Sequence, residues 1–487
     1  MTEQSNSRYQ DVTKRATRSM GWNYLSFGLG KALNLIAISI LAHLLAPEYF
    51  GLITLATLTM DYLSIINDTG LGAALIQRTD KLEMAANVAF SLTIIIGVLL
   101  TIVTFLIAPY VAIFFDEPQV TAVIRWLGLT FLLNSFGATH NILLQREMSF
   151  RKKIIPELGN TAIKAVVSIA LAVAGFGVWS LVIGQLAGTA VASTLLWIVE
   201  SWRPKLAWDS QIAREMLQYG LSIMGNNALS AWEDSFDYFM IGLIYNSAAL
   251  GIYALAYRLP QTLVLNILWV MTAVLFPAFS SLQENREELK KSFLSTMKYV
   301  ELLVMPLCLG MIVAADPIIR VAFGEQWLDA IPILQVLSLY AWVVSIGFHV
   351  GDVYKAIGRP DILIKTSIPM FFIRLLLLWL GAQYSLVGVA IAHLAAAVIS
   401  TILRYFVAAR FLKLSFMEVA KELTAFICGL GLILLAIPAY YLSIGYSPFI
   451  RLMAIGLAGA AGYMVSVWFV ERASVVSALE MAGIRKN

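Results

Sequence analysis

The sequence predicts an all-α integral membrane protein with about fourteen transmembrane helices. Of its 487 residues, 60% are hydrophobic and only 13% are charged, whereas soluble domains carry about 25% charged residues. Apolar stretches recur along the whole chain, and each approaches the roughly 20 residues that a helix needs to cross a bilayer. The two halves of the sequence also repeat. These three observations predict two parallel six-helix lobes around a central cavity, followed by two carboxyl-terminal helices.

Charge clusters and Pro or Gly breaks separate the predicted helices. The predicted spans are 20–45, 50–76, 84–113, 120–145, 155–174, 178–200, 216–244, 250–280, 293–315, 328–356, 361–382, 387–411, 421–443 and 447–470. The predicted organisation is a cytoplasmic tail (1–19), an amino-terminal lobe of helices 1–6 (20–200), a cytoplasmic linker (201–215), a carboxyl-terminal lobe of helices 7–12 (216–411), and a final segment (412–487) with helices 13 and 14 and a cytoplasmic tail.

The predicted loops alternate in charge along the chain. Every second loop is rich in Lys and Arg, as in the stretches 151–153 and 286–291. The loops between them carry almost no basic residues, with Arg320 as the main exception. By the positive-inside rule, the basic loops and both termini lie in the cytoplasm. A misplaced helix would break the alternation, so the alternation supports the number of helices.

An internal repeat sets the orientation of the two halves. The segment 47–56 (PEYFGLITLA) is echoed by the segment 247–256 (SAALGIYALA). This offset spans six predicted helices, an even number, so both copies cross the membrane in the same direction. Parallel repeats that enclose a cleft are typical of transporters.

Helix 7 carries three carboxylates within an otherwise apolar span: Glu233, Asp234 and Asp237. An ionised side chain at the centre of a bilayer costs about 2.5–3.5 kcal/mol, so these acids are expected to face a water-filled cavity. Asp61 on helix 2 and Asp352 on helix 10 lie on polar stripes with helical spacing. We interpret these five acids as candidate sites for a coupling proton or Na⁺, because burial and neighbouring negative charges favour binding of a cation.

Further polar side chains in both halves predict a cavity for a ligand with anionic and hydroxyl-rich parts. Lys and Arg hold phosphate through charge-assisted hydrogen bonds, and Asn, Gln and Trp suit sugar hydroxyls and ring faces. For Arg258, a structural ion pair with the acids of helix 7 is an equal alternative. The candidate substrate-binding residues are Lys31, Asn34, Lys164, Arg258, Gln261, Trp342, His349 and Arg374.

Composition and motifs argue against several classes of function. The two cysteines, Cys308 and Cys428, lie in apolar runs, and no Cys/His spacing typical of a metal site occurs. The net charge of +4 is spread over membrane loops, unlike the basic patch of a nucleic-acid-binding protein. The sequence shows no nucleophile–base pair or phosphate-binding loop. We therefore expect no catalytic residue, metal site or nucleic-acid partner, and no cofactor other than a coupling H⁺ or Na⁺.

Four stretches resemble a known family: 50–53 (FGLI), 68–78 (DTGLGAALIQR), 275–280 (LFPAFS) and 321–327 (VAFGEQW). Together with the helix count, they resemble the polysaccharide-export branch of the multidrug/oligosaccharidyl-lipid/polysaccharide (MOP) flippase superfamily, close to the lipopolysaccharide and colanic or teichuronic acid exporters. The resemblance extends over essentially the whole chain.

This resemblance implies a non-enzymatic flippase of the bacterial inner membrane. Its members look like proteins that move undecaprenyl-diphosphate-linked oligosaccharide by alternating access, with membrane lipid and the polysaccharide polymerase machinery as partners. The resemblance also implies a cationic cavity, in which Lys31 and Arg258 match the family's basic positions on the first and eighth helices.

Two alternatives stay open at this point. A cation-coupled multidrug or metabolite antiporter of the same superfamily would use the helix 7 acids to exchange a cation for its substrate. A membrane polysaccharide polymerase or ligase would need a sizeable outer loop with catalytic groups, but the longest predicted outer loop, 316–330, has roughly 15 residues.

Overall fold

A computed structural model describes residues 28–67, 70–205 and 207–472, with side chains except those of 66–67, 220–234, 273 and 416. These residues form helices and connecting loops, and the described part of the chain contains no β-strand. The described chain forms two compact units, one that ends at Gly251 and one that begins at Ile252. The all-α prediction is therefore confirmed.

The first unit contains eight helices and the start of a ninth among the described residues. They are α1 (Gly28–Leu44), α2 (Pro47–Asn67), α3 (Leu71–Gln77), α4 (Leu82–Phe114), α5 (Val120–Arg146), α6 (Phe150–Val173), α7 (Val178–Val199), α8 (Ser210–Ile244) and the first residues of α9 (Ser247–Pro260).

The second unit contains the rest of α9 and ten further α-helices among the described residues. These are α10 (Asn266–Ser281), α11 (Arg286–Val313), α12 (Ala315–Ala322), α13 (Ala330–Gly347), α14 (Val350–Ala356), α15 (Asp361–Ala382), α16 (Leu386–Leu412), α17 (Phe416–Glu422), α18 (Thr424–Leu442) and α19 (Pro448–Val470). A π-helical segment, Gln261–Leu265, joins α9 to α10.

Eleven helices or helix pairs in the described chain are long and apolar enough to cross a membrane, so the chain is a multi-pass membrane protein. They correspond to the predicted helices 3–6 and 8–14 and are Leu82–Phe114, Val120–Arg146, Phe150–Val173, Val178–Val199, Ser247–Ser281, Arg286–Val313, Ala330–Ala356, Asp361–Ala382, Leu386–Leu412, Met417–Leu442 and Pro448–Val470. The other three predicted spans correspond to α1, to α2 with α3, and to α8, so fourteen stays a prediction.

The predicted span 50–76 is not one helix. Helix α2 is described as far as Asn67, and α3 begins at Leu71. Gly70 precedes α3 with φ of +61°, a left-handed conformation that interrupts an α-helix and that glycine adopts without steric cost. The polar run 67–70 (NDTG) lies inside the predicted span and was a usable turn signal for this break.

Helix α8 packs against α2, α3 and α4 within the first unit. The predicted linker between the lobes, 201–215, includes the first residues of α8, and the boundary between the compact units follows Gly251. Asp209 caps the start of α8, since its Oδ1 accepts hydrogen bonds from the backbone N–H groups of Gln211 and Ile212.

Helix pairs within each unit approach closely through small residues. In α18 and α19, a Cβ on Gly431 would lie 2.7 Å from the carbonyl oxygen of Gly462. Gly188 of α7 approaches α6 as closely, since a Cβ on Gly188 would lie 2.8 Å from the carbonyl oxygen of Asn160. Small residues at such crossings let membrane helices pack backbone to backbone.

Candidate functional site

Arg374 and His393 form a polar pair inside the second unit. Arg374 lies in α15 and His393 in α16, and one guanidinium Nη2 is 2.9 Å from His393 Nε2. Because a guanidinium can only donate, His393 Nε2 must accept, which leaves the ring proton on Nδ1. His393 is only 1% exposed. A neutral imidazole therefore supports the Arg374 guanidinium without adding a counter-charge.

Three tyrosines surround the His393 ring. The hydroxyl of Tyr253 lies 3.4 Å from His393 Nδ1, and the rings of Tyr340 and Tyr257 lie 4.2 Å and 6.0 Å from the imidazole, centroid to centroid. These tyrosines come from α9 and α13. The cluster thus gathers four helices of the second unit around one imidazole and the guanidinium that it holds.

Arg258 lies just before an irregularity in the membrane helix that runs from Ser247 to Ser281. Pro260 follows it and lacks a backbone N–H, and the next five residues, Gln261–Leu265, form a π-helical segment. Such segments occur frequently at functional sites. Both Arg258 and Gln261 are half-buried, and Arg258 follows Tyr257 of the His393 cluster directly. The structure therefore places two predicted binding residues at the irregular point of this helix.

The predicted polar residues of the first unit lie on separate helices. Lys31 and Asn34 are half-buried on α1, and Lys164 is half-buried on α6. Helices α6 and α7 approach each other closely at Lys164, since a Cβ on Gly188 would lie 3.0 Å from Lys164 Cβ. The assignment of these three residues to substrate binding stays a prediction.

Two of the predicted acids lie in the vicinity of Tyr62 on α2. Asp61 on α2 is exposed, and Asp237 on α8 is fully buried. Tyr62 lies within electrostatic range of both carboxylates. The side chains of Glu233 and Asp234 lie outside the described residues. The helix pair α2 and α8 therefore brings two of the candidate coupling acids into one neighbourhood.

The predicted polar stripe of helix 10 packs against α11. The side chains of Trp342 and Ser345 contact the carboxyl group of Glu301 on α11. The ring of His349 lies 4.6 Å from the ring of Phe293, measured between centroids. Both ring nitrogens of His349 lack a hydrogen-bond partner among the described residues. Asp352 is 2% exposed and accepts a hydrogen bond from Lys355 Nζ at 3.1 Å. A role in substrate binding or coupling stays a prediction for this stripe.

Glu301 of α11 is a buried acid that the sequence analysis did not single out. It is 1% exposed, and both carboxyl oxygens contact α13. Trp342 Nε1 donates to Oε2 at 2.7 Å, and Ser345 Oγ lies 2.7 Å from Oε1. An acid in the middle of an apolar span was a usable signal, equivalent to the one that singled out helix 7.

Comparison with known proteins places these features in a family. A family model described as "Polysaccharide biosynthesis protein" matches residues 40–332. The chain is 25% identical to the lipopolysaccharide biosynthesis protein WzxC of Escherichia coli over 79% of each chain. It is 26% identical to the teichuronic acid biosynthesis protein TuaB of Bacillus subtilis (72% of this chain, 73% of TuaB) and 27% identical to the succinoglycan biosynthesis transport protein ExoT of Rhizobium meliloti (72% and 71%).

Solved structures share the fold at lower sequence identity. The lipid II flippase MurJ, in an inward closed conformation, superposes with a TM-score of 0.73 at 16% identity, covering 93% of this chain and 99% of MurJ. An inward-facing multidrug resistance MATE family transporter of the MOP superfamily gives 0.65 at 15% identity, covering 79% and 94%. The family model spans more than half of the chain, so the chain belongs to the polysaccharide biosynthesis protein family.

Proposed function

We propose that the protein is a flippase that moves undecaprenyl-diphosphate-linked oligosaccharide across the bacterial inner membrane by alternating access. The observation that carries the proposal is the Arg374–His393 pair within an apolar helical unit. A guanidinium presents a planar fork of donors that matches phosphate, and a neutral imidazole orients that fork without reducing its charge. Relatives that are named for polysaccharide biosynthesis or transport support the assignment.

In this proposal, fourteen helices form two parallel six-helix lobes, with α18 and α19 appended and both termini in the cytoplasm. The repeat of segments 47–56 and 247–256 and the alternation of basic loops support this arrangement. Lys31, Arg258 and Arg374 bind the diphosphate-sugar head group. The polyprenyl tail stays in membrane lipid, because its transfer into water would expose apolar surface.

The second candidate function is a cation-coupled antiporter. Two observations favour it: the fold is similar to that of a MATE transporter, and Asp61 and Asp237 share a neighbourhood around Tyr62. In a flippase the same acids bind the coupling H⁺ or Na⁺, so their presence does not separate the two functions. No residue has a catalytic role in this function, and the polymerase machinery accepts the flipped units.

A deletion strain complemented with variants tests the proposal. Labelled sugar is supplied, and both surface polysaccharide and lipid-linked oligosaccharide are measured in each leaflet. The wild type and Lys365→Ala, which removes an exposed cation from the same helix as Arg374, are expected to restore the polymer. Arg374→Ala is expected to leave single-repeat lipid-linked units on the cytoplasmic leaflet at normal protein level.

Other outcomes would contradict the proposal. Normal polymer output from the Arg374→Ala variant would show that Arg374 is not needed to bind the anionic head group. If the deletion lets lipid-linked units reach the outer leaflet unpolymerised, the protein acts after flipping, as a polymerase or ligase would. If neither pool changes but the cells become sensitive to ethidium, the antiporter is the better assignment.

A further inference from the structure

Glu301 lies halfway along the membrane span Arg286–Val313 and is fully enclosed. Its carboxyl group is held by two side chains of α13, which are 41 and 44 residues away in the sequence. Trp342 Nε1 donates to Oε2 at 2.7 Å, and the Trp342 indole stacks on Phe426 of α18. The group is therefore enclosed near the middle of an apolar helix, with the half-buried Trp342 indole against it.

The number of hydrogen atoms needed for the contacts of Ser345 indicates whether the carboxyl group of Glu301 is protonated. Ser345 Oγ has one hydrogen, yet it lies close to two oxygens: the Trp342 carbonyl at 2.6 Å and Glu301 Oε1 at 2.7 Å. An ionised Glu301 would supply no hydrogen, so one of these short oxygen–oxygen contacts would lack a proton. A protonated Glu301 resolves both contacts, because Oε1–H donates to Ser345 Oγ and Ser345 donates to the Trp342 carbonyl.

The charges nearest to Glu301 have other partners. Lys298, one turn earlier on α11, pairs with Glu471 at 2.6 Å and lies 4.0 Å from Glu422 of α17. Glu301 forms no ion pair with any residue in the described ranges. An ionised carboxylate without a cation at this depth would bear a desolvation cost of several kcal/mol.

The titratable groups of the neighbouring helices also bond elsewhere. The hydroxyl of Tyr405 on α16 donates to the Ile346 carbonyl at 2.8 Å, and that of Tyr463 on α19 donates to the Leu302 carbonyl at 2.7 Å. Other groups on these elements are neutral thiols or have their own contacts: Cys308 on α11, Cys428 on α18, His349 against Phe293, Asp352 with Lys355, and Asp316 of α12 with Arg320. None of them donates a hydrogen bond to Glu301 in the described part of the chain.

We propose that Glu301 is a proton-binding site, which holds a neutral carboxylic acid between α11 and α13 in this conformation. The bound proton completes a chain from Glu301 through Ser345 to the Trp342 carbonyl. Its release would leave a carboxylate that competes with the Trp342 carbonyl for the Ser345 hydrogen. The proton is therefore a ligand that favours this arrangement of the two helices, whatever substrate the protein carries.

Infrared spectroscopy of the purified protein at neutral pH tests the site. The wild type minus Glu301→Gln difference is expected to contain the carbonyl stretch of one protonated carboxylic acid. Glu287→Gln, at an exposed position in the first turn of the same helix, is expected to lack that band in its own difference spectrum. Ser345→Ala is expected to retain the band at a shifted frequency, because it removes the acceptor of the acid proton.

Thermal unfolding provides a second, independent readout. Gln reproduces the neutral acid, since its carbonyl accepts from Trp342 and its amide donates to Ser345. Glu301→Gln is therefore expected to have the wild-type Tm at neutral pH. The wild-type Tm is expected to decrease as the pH rises and Glu301 loses its proton, and the variant is expected to lack that decrease. A difference spectrum with only ionised-carboxylate bands would overturn the proposal. So would a folded Glu301→Gln protein with the same pH dependence as the wild type.

Discussion

Gly51 at the start of α2 and Gly251 at the start of α9 pack against each other's helix in a reciprocal way. A Cβ on Gly51 would overlap the carbonyl oxygen of Ser247, and a Cβ on Gly251 would overlap that of Pro47 and lie 2.9 Å from the backbone nitrogen of Gly51. These residues occupy equivalent positions of the repeated segments. Residues at equivalent positions of the two repeated segments therefore lie in direct backbone contact.

Substitution of either glycine by alanine is expected to destabilise the protein. The obstructing atoms belong to the backbone and cannot move aside as a flexible side chain could. We therefore expect the free energy of unfolding to fall by about 1–3 kcal/mol for each variant. The control is Gly456→Ala in α19, where a Cβ meets nothing within 4 Å. Alanine there is expected to leave Tm unchanged or to raise it. An unchanged Tm for Gly51→Ala would contradict the close crossing.

Arg451 links α19 to α12 through Asp316, and this link accounts for the exception to the loop charge pattern. Asp316 accepts from Arg451 Nη1 at 2.7 Å and from Arg320 Nε at 2.8 Å, and Arg320 also pairs with Glu325. The basic residues here are therefore balanced by acids. Arg451→Met is expected to lower stability by about 1–3 kcal/mol, since it leaves a half-enclosed carboxylate with one partner fewer.

The exposed ion pair of Lys365 with Asp361 provides a matched control for that change. Its atoms are 2.9 Å apart, but the Lys365 side chain is 72% exposed. Exposed pairs contribute little, so Lys365→Met is expected to leave the unfolding temperature nearly unchanged. Equal effects of the two variants would show that burial of the Asp316 cluster does not matter.

His393 positions the Arg374 guanidinium, so its replacement is expected to impair transport without touching the cation itself. His393→Phe keeps a ring among the tyrosines but removes the acceptor nitrogen. Loss of a hydrogen bond to a charged group corresponds to about 1.5–3 kcal/mol, or roughly tenfold or more in substrate affinity. His393→Gln retains an acceptor and is expected to recover part of the activity. Equal transport by both variants, with equal expression, would exclude the positioning role.

Asn87 anchors the segment that precedes α8. Its buried side-chain oxygen accepts from the backbone N–H of Lys205 at 2.8 Å, whereas the Lys205 ammonium forms an exposed pair with Glu83 at 2.6 Å. Asn87→Ala removes the backbone anchor, so trypsin is expected to cleave after Lys205 faster than in the wild type. Glu83→Gln alters only the solvated pair and is expected to leave the cleavage rate unchanged. The ratio of the two rates is the measurement.

The sequence predicted the all-helical membrane class because the length of each apolar run is a local property. It also identified the repeat that contains Gly51 and Gly251, since equivalent segments are visible by comparing the chain with itself. The predicted span 50–76 runs through the break at Gly70, although the polar run 67–70 (NDTG) was a usable turn signal. Position within a span, which singled out Asp237, would also have singled out Glu301.

The partners of these residues were decided only by the tertiary structure. Trp342 and Ser345 are three residues apart and share one helix face, but this spacing does not show that the face meets Glu301 of α11. His393 is similar, because its bond to Arg374 depends on how α15 packs on α16. Spacing along the chain determines which side chains share a helix face. Which helix that face meets depends on packing between distant segments, and the same packing determines whether a buried acid finds an ion partner, a neutral donor or a proton.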